Sequence, residues 1–81
     1  MLREEVYERL NGVFRDIFDD EDITVNDTTS AEDIEDWDSL EHINLVVAIE
    51  KEFNIKFNMS EVNKFNNVGE MVDVIIRRVK E

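Results

Sequence analysis

The 81-residue sequence predicts an all-α bundle of three main helices and one short one, with a long loop between the first and second. Apolar residues recur at steps of three and four in three separate stretches, the spacing of one helix face. The single stretch that alternates apolar and polar has no second strand to pair with. Neither proline, a glycine-rich linker nor an internal repeat divides the chain, so residues 1–81 read as one small domain.

The first helix is expected from Leu2 to Phe18, where Leu2, Val6, Leu10, Val13, Phe14, Ile17 and Phe18 form the apolar face. Gly12 interrupts it at a cost of roughly 1 kcal/mol relative to alanine, which weakens the helix without ending it. From Asp19 to Trp37 the periodicity fails in an acidic stretch punctuated by Ile23, Val25, Ile34 and Trp37. Long loops in compact domains are usually functional, and these four residues are its expected anchors, with a short helical turn around Ala31 to Ile34.

The second helix begins at Asp38 or Ser39 and runs to about Phe53, stopped by Asn54. Asp38 is the expected N-cap, and Glu41 three residues later completes a capping-box pattern. Leu40, Ile43, Val46, Val47, Ala48, Ile49 and Phe53 supply a broad apolar face. The alternation from Phe53 to Phe57 is a connecting loop with Ile55 and Phe57 turned inward, followed by a short helix near Ser60 to Phe65. Asn67-Val68-Gly69-Glu70 opens the last helix, with Met71, Val72, Ile75, Ile76 and Val79 inward and Arg77, Arg78 and Lys80 in its final turn, where cations suit the helix dipole.

Composition narrows the function. A formal charge of −12, from 21 acidic against 9 basic side chains, repels nucleic acid and anionic lipid and favours basic protein surfaces. Hydrophobic residues make up 42% of the chain, enough for a packed core rather than disorder. With no cysteine and one histidine there is no disulfide, no thiol nucleophile and no zinc set. No apolar run approaches the roughly 20 residues of a membrane span, and the N-terminus is too charged for a signal peptide, so the expected compartment is the cytoplasm.

The informative segment is Asp36-Trp37-Asp38-Ser39-Leu40-Glu41-His42-Ile43, a serine between a long loop and an amphipathic helix. Asp38-Ser39-Leu40, with Leu45 to Phe53 behind it, resembles the second helix of acyl carrier proteins. The resemblance extends over essentially the whole chain, through the helix-one spacing, the acidic loop and Val68-Gly69 at the start of the last helix. It implies a four-helix acyl-carrier bundle in which Ser39, flanked by Asp38 and Leu40, is joined through a phosphodiester to 4'-phosphopantetheine by a separate phosphopantetheinyl transferase using coenzyme A. The helix N-terminus suits an attached phosphate, because its backbone N–H groups are unpaired and the dipole end is positive. The arm also supplies the thiol that a chain without cysteine lacks.

The resemblance further implies a carrier rather than an enzyme, passing acyl thioesters between acyl-loading, acyl-transfer or condensing enzymes with basic docking surfaces. The docking candidates are Trp37, Glu41, His42, Val46, Val47 and Glu50. Val46, Phe53, Ile55, Phe65, Val68 and Ile75 are candidate lining for a sheltered acyl chain. Two departures from the fatty-acid carriers stand out: Trp37 replaces a small residue before Asp-Ser-Leu, and Asp36 replaces a glycine. Trp37 is either a core anchor or a recognition residue beside the arm. A starting methionine without linkers points to a free-standing carrier, and the expected state is a monomer.

Other readings are weaker. Ser39 and His42 share a helix face, but nucleophilic catalysis also needs an orienting acid and an oxyanion hole. The run from Asp20 to Val25 lacks the glycine a calcium loop requires at its sixth position. The remaining alternative is an acidic interaction module whose Ser39 only caps a helix and stays unmodified.

Overall fold

The computed structural model describes residues 1–79 and contains four α-helices, with no strand among the described residues. Helix α1 spans Arg3–Phe18, α2 Ser39–Phe53, α3 Met59–Val62 and α4 Val68–Val79, and a 3-10 turn at Ala31–Asp33 punctuates the loop before α2. Lys80, expected in the last turn of α4, lies outside the described residues.

Each boundary has a local cause. Leu2 precedes α1 and its N–H donates to the Glu5 carboxylate at 2.8 Å, so Leu2 caps the helix from outside and is exposed instead of joining the apolar face. Asp19 and Asn54 end α1 and α2 in the left-handed conformation, with φ of 50° and 55°, a region aspartate and asparagine tolerate better than other side chains. The short helix α3 starts earlier and is shorter than the sequence suggests. The Asn58 N–H donates to Glu61 Oε1 at 3.0 Å, fixing a start at Met59, and the helix is spent by Val62. At α4, Asn67 Oδ1 accepts from the Glu70 N–H at 2.9 Å, the cap expected from the sequence.

The core joins Val6, Leu10, Phe14 and Phe18 of α1 to Leu45, Ile49 and Phe53 of α2 and to Val68, Met71, Val72 and Ile75 of α4. Helix α1 packs against both of the others. The loop is sewn to this frame by its anchors and by backbone bonds. The Val25 N–H donates to Asn11 Oδ1 at 2.7 Å, and Arg15 Nε donates to the Ile23 carbonyl at 2.7 Å. The Val68 N–H reaches the Thr29 carbonyl at 2.8 Å, and the Gly69 N–H reaches the Asp27 carbonyl at 3.1 Å.

One corner gathers three elements through charge. Arg3 donates to Asp27 and to Asp73, each at 2.8 Å, and the Tyr7 hydroxyl donates to Asp27. The Tyr7 hydrogen bond first, and Arg3 second, hold the Asp27 carboxyl below its ordinary value of 3.8. Burial and the same bond push the Tyr7 hydroxyl upward. On α3, the Asn58 N–H and then Arg78 lower Glu61 in the same direction.

Two predictions follow from this frame. A Cβ on Gly69 would stand 2.7 Å from the Asp27 carbonyl oxygen, whereas one on Gly12 meets nothing within 4 Å. Urea unfolding should therefore show Gly69→Ala destabilised by about 1–3 kcal/mol and Gly12→Ala stabilised by about 1 kcal/mol. Because the folded carboxyls of Asp27 and Glu61 titrate below their unfolded values, the stability they contribute is present above about pH 4 and lost as pH falls through the lowered values. Urea midpoints measured from pH 7 to pH 3 should fall at the acid end, and less steeply in Asp27→Asn, which is weaker than the parent at neutral pH.

Candidate functional site

Ser39 is the first residue of α2, exposed at the helix N-terminus where the acidic loop ends. The cap is Asp38, whose Oδ1 accepts from the Glu41 N–H at 2.9 Å, so Ser39 is not the capping residue. The reciprocal half of the expected capping box is absent: the Asp38 N–H donates to the Asp36 carbonyl, and Glu41 Oε1 accepts from Asn44 Nδ2 at 2.9 Å. The hydroxyl thus stands free of the cap bond, beside the unpaired N–H groups and positive dipole end of a 15-residue helix.

Trp37 holds this position. Its indole is 9% exposed, edge-on to Phe14 at 5.3 Å between ring centres and tilted against Phe18 at 6.2 Å. Of the two readings of Trp37, the structure takes the core anchor. Packed against Phe14 and Phe18, its side chain leaves little surface outside the groove. Its Nε1–H donates to His42 Nδ1 at 3.1 Å, and His42 Nε2 lies 3.0 Å from the Val62 carbonyl oxygen. His42 is accordingly half-buried with both ring nitrogens occupied, not the exposed contact the sequence suggests.

Val46, another docking candidate, is buried, at 6% exposure. Conversely, Leu40, Ile43 and Val47, on the same broad apolar face in the sequence, are 69%, 58% and 43% exposed, and Met59 on α3 is 78% exposed. Ile43 and Met59 were not among the expected docking residues. The signal was available for Ile43: eight apolar positions on one 15-residue helix, Leu45 included, give a stripe wider than a single packing face accommodates. Met59 carries no such signal, because α3 is too short for a period. Of the other docking candidates, Val47 is exposed, while Glu41 and Glu50 are half-buried, Glu50 accepting from the Phe57 N–H at 2.8 Å.

A groove of about 650 Å³ runs from Ser39 between α2 and α3. Ile43, Val46 and Val47 form one wall, Met59, Val62 and Phe65 the other, with Trp37 and His42 at the serine end. Val46 and Phe65 were expected lining. Phe53, Val68 and Ile75 instead lie in the closed core, and Ile55 packs against it, so the concave surface is a groove between helices and not a shaft into the bundle. Among the described residues no His, Asp and Glu cluster is gathered to hold a metal ion, and no helix is long and apolar enough to cross a membrane.

The family model described as the phosphopantetheine attachment site matches residues 8–75, and Ser39 falls inside that span. The chain belongs to this family. Among solved structures, the solution structure of the holo acyl carrier protein from Geobacter metallireducens superposes with a TM-score of 0.87 at 40% identity, covering 93% of this chain and 86% of that one. The fold is therefore that of an acyl carrier protein. An acyl carrier protein from Cyanidium caldarium is 45% identical over 42 residues, 52% of this chain, and the match spans about half of that relative, 49% of its length. The cofactor of the attachment-site family is 4'-phosphopantetheine, and its members are carriers, not catalysts.

Proposed function

We propose that Ser39 bears 4'-phosphopantetheine through a phosphodiester on its hydroxyl oxygen, and that the arm's terminal thiol carries acyl groups as thioesters between separate enzymes of fatty-acid, polyketide or related specialised biosynthesis. The observation that supports this best is the exposed Ser39 at the first position of α2, with its cap bond supplied by Asp38 and an apolar-walled groove alongside. The phosphate lies against the positive end of the helix, and Asp38 and Leu40 flank the attachment point. The chain contributes the anchor and the setting, while a phosphopantetheinyl transferase with coenzyme A contributes the catalysis.

Partners dock on the exposed side of α2. Leu40, Ile43 and Val47 recur at steps of three and four beside Met59, and Glu41 with Asp36 and Asp38 supplies acidic charge around them. An apolar row within an acidic field suits enzymes with basic rims: charge speeds the encounter, and the short apolar contact keeps it brief.

Two experiments test this. Intact mass after incubation with coenzyme A and a broad-specificity phosphopantetheinyl transferase should rise by one phosphopantetheinyl group, and Ser39→Ala should gain none. No gain by a folded parent chain would leave an unmodified interaction module. For docking, Ile43→Ala should weaken binding to an acyl-transfer partner by about 1 kcal/mol or more, with little change in thermal stability. Association rates should fall as salt rises from 0.05 to about 0.5 M; rates indifferent to salt would exclude electrostatic docking.

A further inference from the structure

Helix α3 is the least anchored element, with none of its four residues buried. Its ties are polar. Arg78 Nη2 donates to Glu61 at 2.6 Å, and His42 meets the carbonyl oxygen of Val62, the last residue of α3, at 3.0 Å. The opposite nitrogen of the same imidazole holds Trp37, the residue two before Ser39. One side chain on the first turn of α2 therefore ties the loop side of the groove to the α3 side, at the end where Ser39 stands.

Hydrogen-bond chemistry fixes the state of that ring. An indole N–H only donates, so Nδ1 must present its lone pair, and the single proton of the neutral imidazole then sits on Nε2, where the Val62 carbonyl accepts it. Both bonds require the same neutral tautomer. A second proton would go to Nδ1 and set N–H against N–H, removing the Trp37 bond while the bond to Val62 survives, now charge-assisted. The buried indole N–H would lose its partner. Charged groups on the surrounding elements are Asp36 on the loop, Asp38, Glu41 and Glu50 at the cap and along α2, Glu61 on α3 paired with Arg78 of α4, and Lys64 after α3.

We propose that His42 is a pH-responsive positioning residue: neutral, it ties Trp37 and α3 together across the groove mouth, and protonated, it releases Trp37 and loosens the Asp36 to Asp38 segment that presents Ser39. Its meaning for the carried group rests on the attachment of phosphopantetheine at Ser39.

Trp37 is the sole tryptophan, so its indole resonance reports without ambiguity. Nitrogen-edited NMR of the unmodified chain from pH 8 to pH 5 should show the indole N–H shifting with the midpoint of the His42 ring protons, its exchange with solvent accelerating about two- to tenfold, and the amides of residues 36–38 moving with it. His42→Gln, whose amide can accept and donate at similar positions, should keep the pH 8 spectrum throughout. His42→Ala should show the fast-exchanging indole at every pH. A flat indole resonance while the His42 ring titrates, or an unchanged pH response in His42→Gln, overturns the proposal. Because the titration is read without the arm, failure here is separate from failure of Ser39 to accept phosphopantetheine.

Discussion

The position of Ser39 depends on the burial of one indole. Ordering a loop of some twenty residues costs backbone entropy at nearly every position, and few of its side chains are apolar enough to offset that cost. Trp37 concentrates the compensation at the one point where it matters for function. Lodged against Phe14 and Phe18, it brings the end of the loop to the C-terminal end of α1, and α2 begins just beyond that anchor. Asp38 then caps, and Ser39 stands in the open with the positive end of the helix behind it.

Charge is handled by segregation. A chain with net charge −12 repels itself on compaction, and four of its arginines are spent on internal acceptors: Arg3 on Asp27 and Asp73, Arg9 on Glu52, Arg15 on the Ile23 carbonyl, and Arg78 on Glu61. The exposed ion pairs among them, those of Arg3 and Arg9, add little stability individually. Their larger effect is topological, because each joins separate segments while the carboxylates around Ser39 stay outward and uncompensated. Acidity at the docking face and cohesion elsewhere thus come from one distribution of cations.

Most of the helical frame was legible in the sequence because its signals are local. Apolar spacing located α1, α2 and α4, and Asp38, Asn54 and Asn67 marked boundaries through side-chain and backbone preferences that act within a few residues. Ser39 was legible through its neighbours, since Asp-Ser-Leu at a helix start resembles a known attachment motif. What failed depends on which neighbour lies across the fold. Periodicity does not say which part of a broad apolar stripe meets a partner helix, so Ile43, Val46 and Val47 read as one face although only Val46 is buried. Nor does it reveal that an imidazole will find an indole on one side and a carbonyl on the other, which removed His42 from the exposed surface. Helix α3 was misplaced because four residues held by polar ties carry almost no pattern.

The seam between the loop and α4 is made of main-chain bonds, from Val68 to the Thr29 carbonyl and from Gly69 to the Asp27 carbonyl. Such bonds are indifferent to the identity of most side chains along the loop. Exposed positions such as Glu32, Glu35 and Asp36 can therefore drift in sequence, trading one recognition surface for another, without unfastening the seam that holds them. Residue 69 has no such freedom, since the backbone opposite leaves no room for a methyl group. The architecture separates an evolvable label from a fixed hinge pin, so one scaffold can be readdressed to new enzymes while its attachment serine stays in place.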